Sequence, residues 1–293
     1  MGIADWFSDF CSALCIGAGQ RSSFAYRTAR ITKALNLGFR DTDSDAANRF
    51  YVGSMGRNTA IPTVSDVDLL YILPYSTYAQ YNAYAGNKQS ALLSAVRVAI
   101  RTTYPTSDIS GDGQVVVVKF DDGVTYEVLP AFANNDGGYT FPDARNGGSW
   151  RDCKPKQEMG AFEERNRACN GNVVELSRMV RAWRDYNNVP MNGMLIDTLT
   201  YQFIGSWNFR DKSYLYYDYM TRDFFGFLAS QQGNQLYWLA PGSGSYVYRK
   251  GLFEYKARQA EICAREAIAY QNGNYDWSAK QKYREIYGTG FPS

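Results

Sequence analysis

Two short segments carry residue types that can do chemistry. One is Val52-Gly53-Ser54-Met55-Gly56-Arg57-Asn58-Thr59. The other, Ser65-Asp66-Val67-Asp68-Leu69-Leu70, sets two aspartates two residues apart. On a strand, positions i and i+2 share a face, so both carboxylates point the same way. Like charges held that close call for a cation, and oxygen donors without imidazole select a hard ion such as Mg²⁺ or Mn²⁺. At a strand end the pair would be two solvated acids. The flanking Val67, Leu69 and Leu70 instead read as an inner strand, where an uncompensated carboxylate is costly. A third acid, Glu127, sits in Tyr126-Glu127-Val128-Leu129-Pro130. Alone it reads as an exposed strand residue. On a strand beside the aspartates it would complete a trio able to hold two ions ~3.5–4 Å apart, one at an attacking hydroxyl and one on a triphosphate. Gly53-Ser54 adds a phosphate feature: glycine lets backbone N–H groups approach an anion, and the Ser54 hydroxyl can donate to it. Gly-Ser followed by Arg57 and Thr59, then by Asp-x-Asp starting twelve residues after Ser54, is a specific combination.

Composition narrows the classes of function. The 293-residue chain has no histidine, which removes Ser-His-Asp and Cys-His triads, His-ligated zinc and imidazole acid–base chemistry. Cys11, Cys15, Cys153, Cys169 and Cys263 are odd in number and form no CxxC pair, so they read as free thiols in a reducing, cytoplasmic setting. Hydrophobic residues at 45% and charged residues at 20% are globular proportions. A net charge of +2 argues against a dedicated ligand of long duplex nucleic acid but leaves room for a mononucleotide pocket. No apolar run reaches the ~18–20 residues that span a bilayer, so no membrane association is expected. The opening MGIADWFSDFCSALC is acidic, unlike a signal peptide, and Trp6 breaks the myristoylation pattern.

The elements that must position these residues follow from periodicity. Ile3, Trp6, Phe7, Phe10 and Leu14 have helical spacing, and a second helix is expected from Ser22 or Ser23 to Leu37, stopped by Gly38. Phe50-Tyr51-Val52 and 67–73 read as strands, 88–101 as a helix, and 115–120 with 124–129 as a hairpin turned by Asp121-Asp122-Gly123. Residues 133–158 read as loop, and 162–186 as one long helix. Further helices are expected over 194–203, 214–229 and 252–271, with a turn at Pro241-Gly242-Ser243-Gly244 before the last. The tyrosines of 214–219 read as packing, with base stacking as the alternative. The pattern predicts an α/β lobe over 1–148 and a helical lobe over 149–293.

GSMGRNTAIPTVSDVDLL resembles the Gly-Ser…Asp-x-Asp signature of the polymerase-β-like nucleotidyltransferases. With Arg57-Asn-Thr-Ala-Ile61 and YEVLPAF it resembles, more narrowly, the CD-NTases, the bacterial cGAS/DncV-like enzymes distantly related to oligoadenylate synthetase. The segment from Tyr139 through Trp150 to Lys154-Pro155, the helix around Arg178-Met-Val-Arg181-Ala-Trp183, and the ending from Trp277 to Pro292 are similar to the same family, so the resemblance spans about 22–292.

The resemblance implies a mixed sheet with a long N-terminal spine helix and a helical bundle closing over the NTP site. By position it makes Asp66, Asp68 and Glu127 the metal-binding and catalytic triad for two Mg²⁺ or Mn²⁺. It places Gly53, Ser54, Arg57 and Thr59 at the nucleotide, with Ser54 under the donor triphosphate. Arg181 falls where a basic residue contacts phosphate, with a surface position as the rival reading, and Asn166 near a base-reading position, with Asn170 as the rival. The family makes cyclic di- or trinucleotide second messengers that act on a separate effector in anti-phage defence (CBASS). The expected protein is therefore a cytoplasmic, monomeric cyclic oligonucleotide synthase. The alternatives are a nucleotidyltransferase acting on tRNA or a small molecule, and a silent nucleotide-binding protein. Met55, Asn192-Gly193-Met194 and Asp197 depart from the family pattern, which puts the base and ribose contacts in doubt. No zinc insertion is present in the sequence.

Overall fold

The computed structural model describes residues 2–293. In chain order the elements are α1 (Ile3–Ala13), α2 (Ala18–Arg40), β1 (Arg49–Tyr51), the one-turn α3 (Gly53–Gly56), β2 (Asp66–Ile72), α4 (Tyr75–Asn82) and α5 (Lys88–Arg101). Then come β3 (Asp108–Asp112), β4 (Val115–Lys119), β5 (Thr125–Ala133), β6 (Tyr139–Asp143) and β7 (Ser149–Cys153). The helices α6 (Pro155–Ala168), α7 (Asn172–Asn187), α8 (Gly193–Ser206) and α9 (Tyr217–Ala229) follow. A small hairpin of β8 (Tyr237–Leu239) and β9 (Tyr246–Tyr248) precedes α10 (Glu254–Asn272) and α11 (Asp276–Tyr287).

The chain forms two compact units. The sheet unit comprises Gly17–Gly56 and Thr63–Gln157, and the helical unit comprises the segment ending at Ile16, Arg57–Pro62 and Glu158–Ser293. This division differs from one at 148/149 because apolar burial, not chain order, sorts the segments. Trp6, Phe7 and Phe10 of α1 and Ile61 belong to the core built by α7–α11. Phe7 packs edge-on against Tyr283 and Phe291, at centroid distances of 5.1 and 5.2 Å.

In the sheet unit, strands run β1-β2-β5-β4-β3, with β6 on β5 and β7 on β6. β2 and β5 are parallel and every other pairing in this sheet is antiparallel. Val67, Leu69 and Tyr71 point to one face with Tyr126 and Val128, all fully buried. The α2 positions Thr28, Ile31 and Leu35 and the α5 positions Leu92, Val96 and Ile100 are buried likewise. Tyr126 donates its hydroxyl to the Phe24 carbonyl (2.8 Å) and Tyr71 to Asn36 Oδ1 (3.0 Å), so both buried phenols are satisfied.

Several expectations are corrected. Helix α2 starts at Ala18 and ends at Asp41 in the left-handed region. Gly38 lies inside it, where a Cβ would come 3.1 Å from Ala99 Cβ, so the glycine lets α2 pass close to α5 rather than ending the helix. Residues 133–158 contain the paired strands β6 and β7. The single helix over 162–186 is two helices, broken where Asn170 and Gly171 take positive φ (53° and 81°). Elements α4, β3, β8, β9 and α11 were not expected. Tyr217, within the tyrosine run, is buried and donates to Asn172 Oδ1 (2.6 Å), which is packing.

Candidate active site

The parallel pairing of β2 with β5 sets the site. Its register places Asp68 opposite Glu127 and Asp66 opposite Thr125, so Asp66, Asp68 and Glu127 share one face. Antiparallel pairing continues that row to Val117 and then Ser110. Farther along the same face, Leu70, Ala131 and Tyr139 form a small core with Phe50 and Leu129 packed on it, leaving the carboxylates at the open end. Asp66 is exposed, whereas Asp68 and Glu127 are half-buried. Burial pushes the Glu127 carboxyl above its ordinary range, and the charges of Asp68, Asp66 and Asp112 push it further. Asp112, on β3, is an acid the sequence reading missed, because Asp-Ile-Ser-Gly-Asp-Gly carries a loop composition.

Gly53 closes the site against Asp68. Its φ is +59°, and a Cβ there would lie 1.8 Å from Asp68 Oδ2, so both conformation and space demand glycine. The Val52 amide donates to the Asp68 carbonyl (3.0 Å) and Gly56 N–H to the Val52 carbonyl (2.9 Å), fixing the Gly-Ser turn to β2. Ser54 sits in that turn, half-buried. Gly53, Ser54, Asp66, Asp68 and Glu127 therefore assemble in one unit.

Donor chemistry bears on whether a hard ion fits. The trio offers carboxylate oxygens only, on one face and beside a glycine cradle, which suits Mg²⁺ or Mn²⁺. Among the described residues no three His, Cys, Asp or Glu side chains, the trio included, are drawn together closely enough to hold a metal ion by themselves. Mg²⁺ ordinarily combines one or two carboxylates with waters and substrate phosphates, so a shared face is the relevant criterion.

The remaining nucleotide-binding candidates lie in the helical unit and are engaged there. Arg57 Nε donates to Asp197 Oδ2 (2.8 Å), and Thr59 Oγ1 donates to the same oxygen (3.1 Å). Arg181 grips Asp197 in a fork, Nη1 to Oδ1 at 2.7 Å and Nη2 to Oδ2 at 2.9 Å, and also bonds the Ser177 and Gly193 carbonyls. Burial pushes the Asp197 carboxyl up, but Arg181 and Arg57 outweigh it and hold it below its ordinary range. Instead of facing solvent as phosphate ligands, these side chains form a buried network whose hub is Asp197. Asn166 accepts the Val174 N–H on Oδ1 (2.9 Å), and its carbonyl accepts Gly171 N–H (2.8 Å), so it ties off the start of α7. Asn170 reaches toward the Lys212 carbonyl (3.5 Å).

Comparison with known proteins fixes the family. Residues 1–166, more than half of the chain, match the model of the Second Messenger Oligonucleotide or Dinucleotide Synthetase (SMODS) domain. The chain belongs to the SMODS family. It is a nucleotidyltransferase with the polymerase-β-like core that family shares. No curated protein matches this SMODS protein by sequence. Among solved structures, Vibrio cholerae DncV cyclic AMP-GMP synthase with the linear intermediate 5′ pppA(3′,5′)pG superposes at TM-score 0.73 and 10% identity, covering 100% of this chain and 97% of that one. Escherichia coli MS115-1 CdnC with ATP gives 0.69 at 14% identity over 99% of both chains. The Bradyrhizobium diazoefficiens CD-NTase CdnG with GTP gives 0.67 at 10% identity, over 97% and 94%. At these identities the likeness is one of fold.

Proposed function

We propose that the protein condenses NTPs into a cyclic di- or trinucleotide second messenger with release of pyrophosphate, and that Asp66, Asp68 and Glu127 are its catalytic carboxylates. The observation that carries this reading is the β2–β5 register, which sets Asp68 beside Glu127 with Gly53 pressed against the aspartate. Two divalent cations, when bound, would lower the pKa of an attacking ribose hydroxyl and neutralise the donor triphosphate. The chain's own part is to hold the three carboxylates on one rigid face and to present Ser54 and the neighbouring amides to phosphate. Glu127 would be ionised in the loaded site, because a cation offsets the burial, and the lesser repulsion by Asp68, Asp66 and Asp112, that now raise its pKa. The relatives solved with ATP, GTP and a linear pppApG support NTPs as substrates and a linear intermediate repositioned for ring closure. We place the product upstream of a separate effector in anti-phage signalling and the enzyme in the cytoplasm as a monomer. Among the described residues no helix is long and apolar enough to cross a membrane.

The test is incubation with all four NTPs and Mg²⁺ or Mn²⁺, phosphatase treatment, and mass spectrometry, with an Asp66→Ala, Asp68→Ala double variant alongside. A phosphatase-resistant cyclic product that the variant does not make is the expected result. Metal-dependent labelling of an RNA or small molecule with no cyclic product would instead favour the alternative acceptor.

A further inference from the structure

The alternation that turns Ser110 and Asp112 toward the carboxylate-bearing face turns Ile109 and Gly111 to the opposite one, beneath α5. Ile109 is buried there, but Gly111 opens on a cavity of ≈ 230 Å³ whose lining includes Ser90, Leu93, Ser94, Arg97 and Gly113. A Cβ on Gly111 would meet nothing within 4 Å. Gly113, at φ +59°, gives close approach to a second guanidinium: a Cβ there would come 2.5 Å from Arg145 Nε. Arg145 is itself paired with Asp143 (3.1 Å) and 59% exposed, so it forms part of the rim rather than the floor.

Ser90, Ser94 and Arg97 are spaced i, i+4 and i+7 and form one stripe of α5. Among the described residues none of these three side chains has an intramolecular hydrogen-bond or ion-pair partner. The next residue of the stripe, Arg101, donates to the Ile109 carbonyl (3.2 Å) and so holds the helix over β3. No acidic residue lines the cavity. The half-buried Arg97 guanidinium, without a carboxylate and flanked by the exposed hydroxyls of Ser90 and Ser94, is a donor set for a tetrahedral oxyanion at the mouth of the cavity. The guanidinium fork takes two oxygens and the hydroxyls take others. The volume is below the ~300–1,000 Å³ of pockets for whole organic ligands, which suits a phosphate group rather than a complete nucleotide.

We propose that this cavity, on the side of the sheet opposite the catalytic carboxylates, binds a phosphate or phosphomonoester dianion. Stability of the intact protein to heat, and calorimetric titration in EDTA with inorganic phosphate and separately with ribose 5-phosphate, test it. Arg97→Gln removes the cation, Gly111→Val fills the cavity, and Arg97→Lys keeps the charge without the fork. Circular dichroism checks that each variant is folded. The expected result is binding by at least one of the two probes, weakened tenfold or more in Arg97→Gln and Gly111→Val, less in Arg97→Lys, and unchanged in Ser54→Ala. Binding of free phosphate would identify the ion as ligand, and binding of the ester alone a phosphorylated metabolite. Equal affinity in all variants, loss in Ser54→Ala only, or no binding of either probe by the wild type would overturn the proposal.

Discussion

Gly53 and Asp68 set the narrowest tolerance in the sheet unit. Gly53→Ala places a methyl group 1.8 Å from Asp68 Oδ2 at a φ of +59°, so the turn or the carboxylate must move. If Asp68 is the catalytic carboxylate proposed above, a displacement of that order costs roughly 10²-fold in rate, and the backbone strain adds about 1 kcal/mol of instability. Pyrophosphate release and thermal unfolding measure the two effects separately. Asp197 is the corresponding point in the helical unit. Asp197→Ala leaves the Arg57 and Arg181 guanidiniums buried without their anion, and urea unfolding at neutral pH should show a loss of ~3–5 kcal/mol. The folded pKa of Asp197 is lowered, so its contribution is present above 3.8 and fades as the pH falls through the depressed value. The gap between wild type and variant should therefore narrow only below pH 3.8. Nothing local to Arg57 announces this partner, which lies 140 residues downstream. A residue type suited to phosphate was visible in the sequence, and its prior engagement by a buried carboxylate was not.

At the scale of elements, α9 carries a conflict between its end charge and its surroundings. Asp218 stands in its first turn, where a negative charge is favoured, and accepts the Tyr219 N–H (2.7 Å). Burial outweighs both that bond and the nearby Arg222, with Asp223 adding to it, and the carboxyl is pushed up from 3.8 to about 6. A raised acid pKa means that the folded state binds the proton more tightly. Stability from this group is full below 3.8 and is lost as the pH rises through about 6. The Asp218→Asn variant should unfold at a higher temperature than wild type at pH 7.5, by several degrees, and match it near pH 4. Calorimetric scans across that range check it. The elements themselves were unevenly legible. The Val115–Lys119 run and the Asp-x-Asp parity exposed the strands that bear the carboxylates, because β-branched runs and period-2 spacing are local signals. β6 and β7 escaped notice because β6 contains Pro142, Gly137 and Gly138 precede it, and Gly147 and Gly148 separate the two strands, so composition spoke for loop while pairing of β6 to β5 and of β7 to β6 decided otherwise. The break between α6 and α7 was hidden because the apolar spacing continues across two positive-φ residues.

The whole molecule joins distant stretches of chain. The helical unit takes its N-terminal helix, the Arg57–Pro62 segment and everything from Glu158 onward. Phe291 is 1% exposed, meets Phe7 edge-on, tilts against Phe10 and Tyr283 and stacks on Tyr287. Phe291→Ala should cost about 3–5 kcal/mol in chemical denaturation, and the loss should fall on the helical unit's transition if the two units unfold in separate steps. The same feature governs timing during synthesis. Phe7 also meets Tyr217, but its partners Tyr283 and Phe291, and Phe10's partners Tyr287 and Phe291, are synthesised roughly 280 positions after α1. At about 5–20 residues per second, α1 waits roughly 15–60 s for these aromatic partners. The sheet unit has its whole sequence available once Gln157 is made, whereas the helical unit cannot close until the segment bearing Phe291 has been synthesised. A ribosome that stalls between the two units would thus release a chain with a folded sheet unit but a first helix whose aromatic face is short of partners, a ready substrate for chaperones and proteases.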